Sequence, residues 1–186
     1  MELITETGLL DGVTYRNSPN QDARPNEKDI SGIVIHNISL PPGEFGGGWI
    51  DDLFMNQLDP TAHPYFEAIA DVTVSAHVLI RREGEIIQYV PFQQRAWHAG
   101  KSNWNGRERC NDFTIGIELE GCDDRYFEMQ QYQCLADVIL TLCQHYPLIS
   151  KAQIKGHCHI SPDRKTDPGA YFDWEKLYGL LSEDSL

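Results

Sequence analysis

The stretch Phe113-Thr114-Ile115-Gly116-Ile117-Glu118-Leu119-Glu120 is the clearest strand signal in the sequence. Side chains alternate between the two faces of a strand, so its three branched apolar residues share one face. Glu118 and Glu120 then share the opposite face with Thr114 and Gly116. Two carboxylates on one face of a hydrophobic strand are costly unless that face opens onto a polar site. A solvent-facing edge is the alternative, and Gly116 leaves room beside Glu118 for another group to approach.

The remaining elements follow from periodicity and from turn residues. The predicted strands are 33–36, 75–80, 85–90, 113–120 and a short one at Ile154, and the predicted helices are 49–58, 128–145 and a last helix capped by Asp173. Residues 81–84 end in a glycine and join two of these strands as a hairpin. Residues 1–31 are polar and contain Gly, Asn and Pro, which predicts an irregular lead-in. Without internal repeats or linkers, residues 1–186 are expected to form one domain.

The chain is acidic, since 15 Lys and Arg against 28 Asp and Glu give a formal net charge of −13. This charge disfavours electrostatic binding to nucleic acid or to an anionic membrane. The cations are concentrated in residues 81–109 and at Arg164-Lys165, which indicates either an anionic ligand or several separate solvated faces. The sequence gives no sign of an obligate protein partner.

The sequence also favours a cytoplasmic location. The N-terminus lacks a basic region followed by an apolar run, so no secretory signal is expected. No apolar stretch approaches the roughly 18 residues of a membrane helix. The 5 cysteines form an odd set without a Cys-x-x-Cys pair, which is typical of reduced thiols in the cytosol.

The stretch from Gly156 to Gly169 combines histidines, aspartates and adjacent cations in one predicted loop. His157 and Asp167 are separated widely enough for the chain to return to a common point. Imidazole and carboxylate are normal zinc ligands, and a catalytic zinc needs a third protein ligand from elsewhere. Lys165 could stabilise negative charge on a substrate oxygen. A solvated turn carrying surface charges is the alternative.

His36 lies at the carboxyl end of a predicted strand and could be that third ligand, although a simple hydrogen-bonded histidine is the alternative. His36, His157 and Asp167 would form a two-histidine, one-carboxylate set with an open fourth position. Glu118 would then act as general base on the attacking water and as acid for a leaving amine, with Lys165 stabilising the oxyanion. This combination indicates zinc-assisted amide hydrolysis. The signatures of other common hydrolases are missing from the sequence.

Several separate motifs also resemble one protein family in the same order. They are Ile35-His36-Asn37-Ile38-Ser39-Leu40-Pro41-Pro42-Gly43-Glu44-Phe45-Gly46-Gly47, Ser75-Ala76-His77, Arg95-Ala96-Trp97-His98-Ala99-Gly100, Gly106-Arg107-Glu108-Arg109-Cys110-Asn111-Asp112-Phe113, Ile115-Gly116-Ile117-Glu118-Leu119-Glu120-Gly121 and Arg164-Lys165-Thr166-Asp167-Pro168-Gly169. Together they resemble the AmpD-type anhydro-N-acetylmuramyl-L-alanine amidases. The resemblance extends from about residue 10 to residue 178.

This resemblance implies an α/β (α+β) fold with a central mixed β-sheet flanked by helices, as in peptidoglycan recognition proteins. It implies one zinc ion per chain, with His36, His157 and Asp167 as ligands, Glu118 as catalytic acid/base and Lys165 as oxyanion stabiliser. The residues that match positions near the family's substrate are Asn37, Trp97, Arg109 and Arg164. The implied reaction cleaves the amide between the lactyl group of anhydro-muramic acid and L-alanine, in cytoplasmic cell-wall recycling. It thereby removes muropeptides that can induce a β-lactamase.

Two positions depart from the family pattern. His159 replaces an expected aspartate and offers a second nitrogen near the metal, and Thr73 replaces an expected arginine in the substrate region. Three other functions are alternatives: a non-catalytic peptidoglycan-binding module, an amidase acting on intact murein, and a zinc-dependent regulator that senses muropeptides. The filled ligand positions argue against a binding module. The N-terminus and the odd cysteine count argue against an amidase acting on intact murein. The lack of a basic DNA-reading helix argues against a regulator.

Overall fold

A six-stranded mixed sheet forms the centre of the computed structural model, which describes residues 1–182. The strands are β1 (Leu3–Ile4), β2 (Leu9–Leu10), β3 (Thr14–Tyr15), β4 (Gln21–Ala23), β5 (Gly32–Ile38), β6 (Val78–Ile80), β7 (Ile86–Gln88), β8 (Gln94–Ala96), β9 (Asn103–Trp104), β10 (Arg107–Glu108), β11 (Thr114–Glu120) and β12 (Ile154–Gly156). The α-helices are α1 (Trp49–Phe54), α2 (Met129–His145), α3 (His157–Ile160) and α4 (Trp174–Leu180). Short 3₁₀ turns lie at Phe66–Ala68, Cys110–Asp112 and Lys151–Gln153.

The order of the strands gathers the carboxyl ends of neighbouring parallel strands at one edge of the sheet. The order is β12-β5-β11-β6-β7-β3, in which β12, β5, β11 and β6 run parallel and β7 is antiparallel to β6. Register pairs Glu118 of β11 with His36 of β5, so both side chains project from the same face. Gly156 of β12 pairs with Ile35, and His157 follows it directly. The fold therefore brings these residues together at one sheet edge.

Each face of the sheet packs against its own apolar cluster. On one face, Ile115 and Ile117 of β11 are fully buried in a core that includes Leu135 and Ile139 of α2 and Leu177 of α4. A second cluster combines apolar residues of α1 with those of β6, β7 and the segments beside them; its largest members are Ile50, Phe54, Phe66, Leu79 and Tyr89. This architecture confirms the predicted fold class. No helix within residues 1–182 is long and apolar enough to cross a bilayer.

The long periodic elements occur where they are predicted. Helix α2 begins one residue later than expected, because Glu128 caps it and forms a reciprocal capping box with Gln131. The antiparallel pairing of β6 with β7 confirms the hairpin, with shorter strands than predicted. Helix α1 ends at Phe54 rather than at residue 58, since the chain enters the left-handed region at Asn56, whose φ is 57°.

Two segments expected to be irregular contain regular structure. Within residues 1–31, the short strand β3 joins the edge of the central sheet and β4 pairs with β8. Strands of two or three residues are too short to show periodicity, which is why the sequence did not predict them. The predicted loop after Gly156 begins with one helical turn, α3, which ends at Ile160 before Pro162.

A buried arginine attaches this N-terminal segment to the sheet. The Arg24 guanidinium donates hydrogen bonds to the backbone carbonyls of Phe92 (3.2 Å), Asn111 (3.1 Å) and Thr114 (2.9 Å). Burial lowers the pKa of Arg24 to about 10, so the side chain stays charged at neutral pH. One side chain thus fixes three chain segments around the start of β11.

Replacing Arg24 should destabilise the fold substantially. Arg24→Met leaves four backbone carbonyls, those of Phe92, Asn111, Asp112 and Thr114, without their charged donor. We expect the free energy of unfolding to fall by about 3 kcal/mol. The matched control is Arg16→Met, because Arg16 is 48% exposed and pairs with Asp51 at 3.4 Å. Arg16→Met should lower the free energy of unfolding by less than about 1 kcal/mol. Equal decreases in the free energy of unfolding of the two variants, measured by urea denaturation, would contradict the anchoring role of Arg24.

Candidate metal centre

Three potential metal ligands meet at the carboxyl edge of the sheet. Nδ1 of His36 lies 3.0 Å from Nδ1 of His157 and 3.0 Å from Oδ2 of Asp167. Nδ1 of His157 lies 3.1 Å from the same carboxylate oxygen. His36 ends the buried part of β5, His157 begins α3, and Asp167 lies in the turn that follows. The three atoms surround a common point that one cation could contact.

The protonation of His157 shows why this point suits a cation. Nε2 of His157 lies 3.0 Å from the carbonyl oxygen of Ala99, which can only accept, so Nε2 carries the ring proton. With its ring proton on Nε2, His157 turns the lone pair of Nδ1 towards Asp167. Two acceptors thus face each other, and the set fits zinc, which binds imidazole nitrogen and carboxylate oxygen.

The imidazole of His36 is neutral. Burial lowers the pKa of His36 to about 4, so the ring is uncharged at neutral pH. Its Nε2 lies 2.9 Å from Nδ1 of His98, a buried histidine whose pKa burial also lowers. His36 and His98 are 62 residues apart in the sequence, and no sequence signal connects them. A Cβ on Gly116 would lie 2.4 Å from the His98 ring, so His98 fills the space that Gly116 was predicted to leave.

The two carboxylates of β11 have different environments. Glu120 is buried and accepts hydrogen bonds from the Arg81 side chain and from the backbone N–H groups of Gly46 and Arg82. Oε2 of Glu118 is buried without a hydrogen-bond partner among residues 1–182. Burial raises the pKa of Glu118 well above its usual value; the charge of Asp167 adds to this effect and Lys165 opposes it. A carboxyl with a raised pKa and one buried oxygen that the fold leaves without a partner is a candidate catalytic group.

A cavity of about 630 Å³ opens over these groups. Its lining includes the three candidate ligands, Glu118 and Lys165, together with Asn37 and Arg164. Asn37 donates a hydrogen bond of 2.7 Å to Asp123, which also lines the cavity. The arrangement places a cation-binding point, a carboxyl with a raised pKa and a lysine around one cavity. Groups of these three kinds can together catalyse the hydrolysis of a polar bond.

Two predicted substrate residues lie outside the described lining of this cavity. Nε1 of Trp97 donates to Asp22 at 3.2 Å. Arg109 is mostly exposed, forms an ion pair with Asp112 and borders a second cleft of about 610 Å³. Arg164 borders both the cavity and this cleft, and it donates to the carbonyl of Ala99 at 2.7 Å. Arg164 thus connects the two depressions.

The remaining histidines and Thr73 have other environments. Nδ1 of His159 accepts a hydrogen bond from the backbone N–H of Gly156, and its ring packs beside Trp174, so His157 rather than His159 joins the cluster. His77 is a satisfied core histidine whose Nδ1 accepts from the backbone N–H of Gly116. Thr73 is exposed, on a segment whose neighbours line the cavity.

Comparison with known proteins adds independent information. Residues 26–170 match a family described as N-acetylmuramoyl-L-alanine amidase. The chain is 60% identical to the 1,6-anhydro-N-acetylmuramyl-L-alanine amidase AmpD of Salmonella typhimurium over 98% of its own length and 97% of the relative's. A crystal structure of a selenomethionine AmpD derivative superimposes with a TM-score of 0.94 at 55% identity, covering 98% of this chain and 100% of that one.

A more distant structure carries a ligand. It is the Escherichia coli N-acetylmuramyl-L-alanine amidase AmiD in complex with the substrate anhydro-N-acetylmuramic acid-L-Ala-D-γ-Glu-L-Lys. The TM-score is 0.61 at 30% identity, and the match covers 86% of this chain and 60% of that one.

The unpaired Glu118 carboxyl should lower stability as the pH rises. Its pKa is raised in the folded state, so between the unfolded pKa of about 4.3 and the folded pKa only the unfolded chain loses the proton. In that window the free energy of unfolding of the wild type falls by about 1.4 kcal/mol per pH unit relative to a variant without the carboxyl. Metal-free Glu118→Gln should therefore be more stable than wild type at pH 8 and similar near pH 4.5.

Urea denaturation in the presence of a chelator measures this difference. Glu120→Gln is the matched control, since it weakens the contact with Arg81 and should destabilise the protein at pH 8. A Glu118→Gln variant less stable than wild type at pH 8 would contradict the unpaired state of this carboxyl.

Proposed function

Because the chain belongs to the N-acetylmuramoyl-L-alanine amidase family, with AmpD-type members among its relatives, we propose that it is a zinc-dependent 1,6-anhydro-N-acetylmuramyl-L-alanine amidase. The bond cleaved is the amide between the lactyl group of 1,6-anhydro-N-acetylmuramic acid and the L-alanine of the stem peptide. The names of the AmpD relatives support this substrate, as does the ligand of the AmiD complex. The observation that carries the proposal is the convergence of three electron-pair donors beside the unpaired carboxyl of Glu118.

His36, His157 and Asp167 would hold the zinc ion. When bound, zinc supplies Lewis-acid chemistry that polarises oxygen atoms of the reactants. The protein contributes fixed ligands, because Nε2 of His157 lies 3.0 Å from the carbonyl oxygen of Ala99. A contact of this kind behind a ligand holds the ring with the correct nitrogen towards the metal.

Glu118 would move the protons of the reaction. A carboxyl with a raised pKa is suited to both halves of amide hydrolysis at neutral pH. The Glu118 carboxylate would accept a proton from the attacking water, and the carboxyl would then donate it to the nitrogen of the leaving L-alanine. Because Oε2 has no hydrogen-bond partner among the described residues, no protein contact has to be broken for either step.

The cations and Asn37 would act on the substrate. Lys165 lies within the cavity lining and would stabilise the negative charge that develops on the carbonyl oxygen. Asn37, held by Asp123, and Arg164 would contact the substrate within the cavity. Trp97 and Arg109 would meet parts of the muropeptide that extend beyond it, with Arg109 reached through the second cleft.

In the cell, this activity would belong to cytoplasmic recycling of peptidoglycan fragments. All 5 cysteines are free in the structure, which suits a reducing compartment. Removal of the stem peptide would also lower the level of muropeptides that induce β-lactamase.

Incubation with anhydro-muramyl tripeptide should release free tripeptide, detectable by mass spectrometry, and a chelator should stop the release. Glu118→Gln should keep its zinc but lose activity by at least about 100-fold, because the proton-transfer group is gone. Urea denaturation confirms that the variant is folded. Zinc-loaded, folded wild-type protein that leaves the tripeptide attached would overturn the proposal in favour of a binding module.

Asp167→Ala should purify without zinc, since it removes the only anionic ligand of the proposed set. Asp163→Ala is the matched control, because Asp163 lies in the same segment but is exposed. Metal content per chain, measured by atomic emission, should stay near one for the control. Full zinc content in Asp167→Ala would remove Asp167 from the ligand set.

A further inference from the structure

A chain of buried side chains extends from His36 through His98, which also borders the cavity, to Thr114 at the start of β11. We propose that His98 and Thr114 are positioning residues that fix the tautomer of His36, so that its Nδ1 lone pair faces the metal. The inference rests on the proposed metal site and concerns residues outside the proposed ligand set.

The chain consists of three consecutive contacts. Nε2 of His36 lies 2.9 Å from Nδ1 of His98. Nε2 of His98 lies 3.2 Å from Oγ1 of Thr114. Oγ1 of Thr114 donates to the carbonyl oxygen of Cys110 at 2.7 Å. His36, His98 and Thr114 are all buried, so water does not compete for these contacts.

The positions of the protons follow from the far end of this chain. A carbonyl oxygen only accepts, so the single hydroxyl proton of Thr114 points to Cys110. Oγ1 can then only accept from His98, and the proton of a neutral His98 therefore lies on Nε2. Nδ1 of His98 is left as an acceptor and receives the Nε2 proton of His36. A neutral His36 consequently presents the lone pair of Nδ1 to the metal centre.

The surrounding backbone holds His98 in place for this task. Oδ1 of Asn111 accepts from the backbone N–H groups of both His98 (3.1 Å) and Ala99 (2.7 Å). The carbonyl of Ala99 in turn accepts the Nε2 proton of His157. Gly116 provides the space for the His98 ring, because a Cβ there would lie 2.6 Å from Nδ1. Residues 98–99 thus support both histidine ligands from behind.

This arrangement differs from ordinary core packing of a histidine. A packing role requires only the shape of the His98 ring, whereas the positioning role requires an acceptor towards His36 and a partner at Thr114 that fixes the proton. Loss of a packing residue lowers stability. Loss of a group behind a metal ligand typically lowers metal affinity by about 10- to 100-fold.

The test compares variants that change the hydrogen bonds while keeping the volume. Thr114→Val removes the hydroxyl and should lower zinc affinity by about tenfold, while Thr114→Ser retains the hydroxyl and should restore affinity. Thr141→Val is the matched control, since Thr141 is a buried threonine whose hydroxyl donates to the carbonyl of Asp137, away from the site. Zinc affinity is measured by competition with a chromophoric chelator.

A second pair of variants addresses His98 directly. His98→Leu leaves the Nε2 proton of His36 without an acceptor and should lower affinity by about 100-fold. His98→Asn places an amide oxygen near the position of Nδ1 and should recover part of the loss. The visible spectrum of the cobalt-substituted protein should change in His98→Leu, since the geometry of the ligands changes, and urea denaturation of the metal-free variants reports folding separately.

The outcomes separate this inference from the proposed function. Wild-type protein that binds zinc and releases tripeptide, together with zinc affinities of Thr114→Val and His98→Leu equal to that of the Thr141→Val control, would overturn only the positioning role. Wild-type protein without zinc binding would overturn both. Reduced affinity in Thr114→Val and His98→Leu, recovered in Thr114→Ser and His98→Asn, is the result expected.

Discussion

The parallel pairing of β5 with β11 is the constraint on which the rest of the molecule depends. This register sets His36 opposite Glu118 and directs both side chains to the same face of the sheet. The parallel neighbour β12 ends at the same edge and delivers His157 beside them. Large apolar residues on the other face bury the sheet against α2 and α4. The hydrophobic core therefore fixes the spacing of the candidate ligands to the ångström scale that metal binding needs.

The polar face of β11 shows how the fold accommodates groups that are costly to bury. Thr114 is satisfied by Cys110 and His98, Gly116 makes room for the His98 ring, and Glu120 is paired with Arg81. Glu118 alone on this face keeps a buried oxygen without a described partner. The strand is therefore less stable at Glu118 than a paired side chain would make it, and Glu118 borders the cavity. Such a local cost is typical of a group retained for its chemistry.

The sequence predicted the elements and residues whose signals are local, and it missed those that depend on distant contacts. Alternation along β11 and the helical period of α2 are visible in short windows, as is the approach of Asp167 to His157 within one segment. His98 lies 62 residues from His36, and nothing in the spacing of the two reveals their contact. The one available signal was Gly116, which indicated an empty space without identifying the ring that fills it. The short strands before residue 31 carry too few residues to show a period.

Residues 98 and 99 contact both candidate histidine ligands, which affects how the ligand geometry would be lost. The side-chain oxygen of Asn111 accepts hydrogen bonds from the backbone N–H groups of His98 and Ala99. The ring of His98 contacts His36, and the carbonyl of Ala99 contacts His157. A displacement of this segment would therefore move the hydrogen-bond partners of both imidazoles together, so the two rings would lose their orientation as a pair.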